Sequence, residues 1–213
     1  DDAALDVEMS VDVPLVNNDG RSGSFEKDGA GTLAFNGNNT YNNPVNINAG
    51  TLLINGTTSG QGTYTVASGA TLGGTGTIDA PVVANAGGIL APGASVGTLT
   101  VTNNNVDLVD AILAIELDGE DADLLTVDGG TLDLTGADVN VSELPELTAT
   151  EFLIATATGG ITLDTTPTVS GDGAWSLELR DSGSSLYLIP EPATLALLGL
   201  GGAVMLTGRK RRA

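Results

Sequence analysis

Carboxylates are the only abundant reactive side chains in this 213-residue chain. Twenty-seven Asp and Glu stand against seven Lys and Arg, and there is no His and no Cys. Lack of His removes the commonest general base and the commonest transition-metal ligand. Lack of Cys removes thiolate metal sites and disulfides. Asp118, Glu120, Asp121 and Asp123 crowd into one short stretch, and oxygens at such spacing could hold Ca2+, which takes about six to eight of them. The spacing fits neither an EF-hand loop nor the repeated Gly-Asp nonapeptide of calcium-binding rolls. A solvated, self-repelling loop without metal is therefore expected there, and Asp107, Asp110 and Asp128 are expected to be exposed. Glycoside hydrolysis needs two carboxylates about 5–10 Å apart; among so many acids such a pair is near certain and carries no information. No G-x-S-x-G, P-loop or zinc motif is present. No catalytic residue, no metal and no cofactor are expected.

Charge is distributed unevenly. Formal net charge is −20, yet Arg209, Lys210, Arg211 and Arg212 supply four of the seven cations. Before residue 190 only Arg21, Lys27 and Arg180 stand against 26 acids, a net of −23. Such a surface repels nucleic acid and anionic headgroups. High Gly (30 residues) and acid would suit disorder, but 41% of the chain is hydrophobic and regularly alternated with polar residues.

The tail joins three signals in one order. Pro190, Glu191 and Pro192 form a Pro-Glu-Pro triplet, which reads as a stiff extended linker because proline fixes φ and cannot donate. Ala193 to Gly208 is uncharged for sixteen residues, about 24 Å as a helix, slightly short for a hydrocarbon core of roughly 30 Å. Leu195, Leu197, Leu198, Leu200, Val204 and Leu206 would be its lipid-facing anchor. Arg209 to Arg212 would hold that end in the cytoplasm and snorkel to the interface. This arrangement resembles the PEP-CTERM sorting signal of exopolysaccharide-producing Gram-negative bacteria, recognised by exosortase. The resemblance implies export and transient inner-membrane anchoring. It further implies cleavage near the triplet by that membrane processing enzyme and delivery to the cell surface or extracellular matrix. A buried C-terminal helix and an uncleaved tail anchor are the competing readings. Secretory export also needs a signal peptide, expected to have been removed or to precede Asp1.

The elements that carry this tail are repetitive. Gly31, Gly50, Gly69 and Gly88 stand nineteen residues apart, in the words AGTLAF, AGTLLI, SGATLG and GGILAPG. Short alternating runs such as Val45-Asn-Ile and Thr63-Tyr-Thr-Val lie between Gly/Asn clusters, the pattern of half-buried strands and turns. A period near twenty residues predicts a solenoid whose coils must stack to bury a Val, Leu, Ile and Ala core. Asn is expected to ladder at corners, and Gly to supply positive φ. From about Gly29 to Val101, including LAPGASVGTL, these words resemble the autotransporter-associated β-strand repeat of bacterial passenger domains. That resemblance implies a right-handed parallel β-helix without enzymatic activity. The outer-membrane barrel of autotransporters is replaced here by the sorting tail.

The expected organisation is a partial or frayed first coil over 1–28, the repeat region over 29–101, wider coils and a cap over 102–189, and the sorting signal over 190–213. All-β architecture with one C-terminal transmembrane helix follows. A polysaccharide lyase on such a scaffold would need a cationic base, for which only Arg21, Lys27 and Arg180 exist. Asn38, Asn55 and Asn140 open glycosylation sequons, but turn chemistry explains them. Tyr41, Tyr64 and Trp175 could stack on sugar but are expected at corners or caps. The reading is a structural or adhesive surface protein, with the processing enzyme, the inner membrane and extracellular polysaccharide as partners. A fragment of an autotransporter-like adhesin and a carbohydrate-binding or carbohydrate-active β-helix are the alternatives.

Overall fold

The computed structural model describes residues 9–16, 23–143, 147–164 and 168–191. Its strands visit three sheets in turn, consistent with a parallel β-helix. The first sheet runs through Met9–Val11, Thr32–Phe35, Thr51–Ile54, Thr71–Gly74, Ile89–Pro92, Ile112–Asp118, Asp138–Glu143 and Thr168–Gly171. The second runs from Phe25–Lys27 to Ile161–Leu163. The third runs through Thr57–Thr58, Thr77–Ile78, Thr98–Thr102, Leu124–Asp128 and Phe152–Ala157, then Ser185–Pro190 and Trp175–Arg180.

Pairing along the first sheet is parallel, each strand with its counterpart one coil later. Thr32, Thr51, Thr71 and Ile89 are in register at intervals of 19, 20 and 18 residues. The next intervals, to Ile112, Asp138 and Thr168, are 23, 26 and 30 residues. The strands keep their register while strands and corners both lengthen, so the fixed period fades from the sequence after Gly88.

Alternation decides what faces inward. Leu52, Leu72, Leu90 and Leu113 stack in register with no more than trace exposure. Burying a Leu is worth about 1.5–3 kcal/mol, and only the neighbouring coils can supply that environment. Many outward positions are threonine. Thr57, Thr77, Thr100, Thr126 and Thr156 form one in-register row across five strands. Asn55 Nδ2 donates to Asn36 Oδ1 at 3.0 Å, the corner ladder expected from the sequence.

Glycine works at corners in two ways. Gly29, Gly50, Gly69 and Gly87 take φ of 77°, 67°, 76° and 76°. The nineteen-residue glycine series therefore coincides with the left-handed position at Gly50 and Gly69, and misses it by two residues and one residue at its ends. Gly60 instead provides close approach: a Cβ there would sit 1.8 Å from the Tyr41 carbonyl oxygen.

Among the described residues no helix is long and apolar enough to cross a membrane. The expected spanning run, with anchor residues Leu195, Leu197, Leu198, Leu200, Val204 and Leu206, lies outside the described residues. So do Arg21, Pro192 and the basic cluster Arg209, Lys210, Arg211 and Arg212.

Candidate functional site

The closing end of the solenoid is where the chain reverses. After the parallel series, Ser185–Pro190 pairs antiparallel with Phe152–Ala157 on one side and with Trp175–Arg180 on the other. A reversal ends the parallel template, which is how natural sheets blunt an edge. Trp175, 9% exposed, seals it. Its ring meets Phe152 edge-on at 5.7 Å, and its Nε1 donates to Glu143 Oε1 at 2.6 Å. Gly173, at φ 74°, is required beside this bond, because a Cβ would lie 1.9 Å from Glu143 Oε1.

Outside the reversal, Arg180 donates to Glu151 at 3.0 Å and to Glu178 at 3.1 Å, and lies 4.4 Å over the Tyr187 ring. Those hydrogen bonds raise the Arg180 pKa, and the bond from Arg180 lowers that of Glu178. The tight turn into Ser185–Pro190 uses positive φ at Asp181, Ser182 and Gly183. Ser185 Oγ donates to Asp181 Oδ2 across it at 2.8 Å.

The first residue of the triplet belongs to this cap. Leu186, Leu188 and Pro190 are buried on one face of their strand. Pro190 is paired with Trp175, and the Glu191 N–H donates to the Ala174 carbonyl at 2.8 Å. Reading Pro190 as the start of an extended linker is thereby corrected: proline is tolerated at a strand end, and here the neighbouring Glu191 N–H supplies the donor that the proline lacks. Glu191 is exposed.

The acidic stretch also differs from expectation. Asp118 and Asp121 pair across a hairpin, with Gly119 at φ 62°. Asp118, Glu120 and Asp121 are exposed, whereas Asp123 turns inward and is 4% exposed. Its Oδ1 accepts from Gly97 N–H and its Oδ2 from Glu116 N–H, both at 2.9 Å. Burial pushes its carboxyl up to about 6, against the lowering effect of those two bonds. Asp123 thus braces the LAPGASVGTL corner, where Gly93 at φ 90° leaves room for its carboxylate. Strand parity held the signal, since Asp123 shares a face with Leu125 and Val127.

Of the three candidate cations, the two among the described residues, Lys27 and Arg180, are engaged. Lys27 is buried, and its Nζ donates to the carbonyls of Asp28, Gly29 and Ala49 at 3.1, 2.8 and 3.0 Å, clamping a corner. Asp107, Asp110 and Asp128 are exposed as expected. Among the described residues no group of three or more Asp or Glu could hold a metal ion. The aromatics do not converge: Tyr64 is buried in the second sheet, Trp175 is in the cap, and Tyr41 is half-buried with its hydroxyl donating to the Gly23 carbonyl at 3.0 Å.

Two family models match the chain. The Passenger-associated-transport-repeat matches residues 25–54, which hold two strands of the second sheet and two of the first. The PEP-CTERM protein-sorting motif matches residues 188–212. The chain therefore carries both the repeat and the sorting motif, and the second implies export, C-terminal membrane anchoring and processing by exosortase. No curated protein matches the chain.

Proposed function

We propose that this chain is a structural or adhesive protein of the cell surface or extracellular matrix of a Gram-negative bacterium, without catalysis of its own. Ala193 to Gly208 is its inner-membrane span, Arg209 to Arg212 its orientation signal, and an exosortase-type enzyme releases it near Pro190, Glu191 and Pro192. One observation carries the reading: the sorting motif begins at residue 188, inside the strand that closes the solenoid. The sorting segment is thus the direct continuation of a rigid, capped rod, which suits cargo whose role is its shape. Supporting this, Lys27 and Arg180 are engaged in structural bonds. A right-handed coil belongs to this reading, being the sense that parallel crossovers take in about 98% of cases. Extracellular polysaccharide is the proposed contact, and the outward threonine row offers it hydroxyl donors and acceptors.

The test is fractionation of the host expressing the full chain or a variant with Arg209, Lys210, Arg211 and Arg212 replaced by Gln. The native chain should reach the surface or medium in shortened form, and the variant should lose that delivery. Equal delivery of both, or a native chain that stays uncut in the membrane, refutes the reading.

A further inference from the structure

We propose that the processed bond lies on the C-terminal side of Glu191, because the folded cap already holds Pro190 and the Glu191 amide. This rests on the sorting reading and adds the position of the cut. Processing enzymes of the protease type take substrate as an extended strand and bond to its main chain. The main chain up to the Glu191 N–H is part of the cap. Ser185 to Leu188 has partners on both sides, and Ile189 and Pro190 pair with Ser176 and Trp175. The Pro190 side chain is buried, and the Glu191 N–H is donated to Ala174. Presenting the Ile189–Pro190 or Pro190–Glu191 bond to an enzyme would mean stripping the strand end from Trp175, whose ring packs on Phe152 and whose Nε1 is bonded to Glu143.

Slack is short as well. Only Glu191 and Pro192 separate the end of the strand from the apolar run that begins at Ala193, about 7 Å when extended. On the sorting reading, the enzyme must work in that two-residue stretch or beyond it. Cutting there exchanges the C–N bond of one peptide for a bond from the same carbonyl carbon to an acceptor, either water or an amine. The acceptor gives one proton to the departing nitrogen, and nothing is oxidised or reduced. The released solenoid keeps Pro190 and its whole antiparallel cap, so release exposes no unpaired edge.

Two measurements test this. In the host, the C-terminal peptide of the released protein is weighed; a terminus at Glu191 or beyond is expected. A terminus at Pro190 or earlier overturns the inference while leaving the sorting function standing. A chain ending at Ala213 overturns both. In vitro, the full chain in detergent micelles is treated with a post-proline endoprotease. Cutting of the Pro190–Glu191 bond should be at least about tenfold slower in the folded chain than in the urea-unfolded chain, since it requires local opening. Trp175→Ala should recover most of that rate in the folded state. Equal rates in folded and unfolded native chain overturn the shielding by the cap from which the position is inferred.

Discussion

Asp123→Ala removes the one buried carboxylate among the described residues and sets two opposed terms against each other. The variant leaves the N–H groups of Gly97 and Glu116 without their acceptor, at about 1–3 kcal/mol each. It also removes a buried charge whose pKa stands at about 6 instead of 3.8. A shift of that size corresponds to on the order of 3 kcal/mol, reduced to about 1–2 kcal/mol by the nearby solvent. At neutral pH the lost bonds outweigh the relieved charge, and the variant should be less stable by about 2 kcal/mol. The pH dependence is the sharper readout. A carboxyl raised in the fold binds its proton more tightly folded than unfolded, so the wild type gains stability as pH falls from about 6 towards 3.8. Asp123→Ala lacks that gain, and the gap should widen by about 1–2 kcal/mol across this window. The assay is urea unfolding of the detergent-solubilised chain at neutral pH and near pH 4, followed by fluorescence of Trp175, the single Trp. A gap that stays constant or narrows on acidification refutes the account of Asp123 as a buried brace.

Two further substitutions probe the corners. Gly60→Ala drives a methyl to 1.8 Å from the Tyr41 carbonyl oxygen, which is backbone and has to move; the expected loss is about 3 kcal/mol, read as a lower urea midpoint. Lys27→Met fills the space but leaves the carbonyls of Asp28, Gly29 and Ala49 without the ammonium. That should cost about 2–4 kcal/mol and raise hydrogen exchange in Phe25–Lys27 and Val45–Ile47, while an unchanged exchange pattern would show that the clamp does nothing.

Much of the fold was legible because parallel stacking writes itself into the chain as a repeated spacing. The words AGTLAF, AGTLLI and SGATLG lie on in-register strands, so their period is the length of a coil. It fades after Gly88, where strands and corners both lengthen, since a coil can grow without disturbing the register of the strands it stacks on. Pro190 reads as linker because proline argues against a strand interior, but Leu186, Leu188 and Pro190 share parity, and proline is tolerated at a strand end. Asp123 was assigned to a solvated loop for its chemistry, although parity placed it with Leu125 and Val127. In both cases the alternation was the better guide, since a strand residue's face is fixed by the pleat before its polarity is consulted.

The same stacking explains how so acidic a chain tolerates its charge. In a parallel in-register sheet each outward side chain sits over its counterpart at about 4.8 Å, so a column of carboxylates would repel along its length. One outward column of the third sheet, from Thr57 to Thr156, is threonine instead. Where Asp107 and Asp133 do fall in register, each turns to local backbone: Asp107 Oδ1 accepts from Val109 N–H at 3.1 Å, and Asp133 Oδ1 from Thr135 N–H at 3.0 Å. Asp164 and Asp172 do the same between coils, accepting from Gly136 N–H at 2.8 Å and Glu143 N–H at 3.2 Å. A corner leaves N–H groups that no strand can pair, and a short carboxylate is a good acceptor for them. The acids are thus partly the solution to the corners, which ties the charge of this rod to its architecture: neutralising these residues would remove corner bonds as well as repulsion.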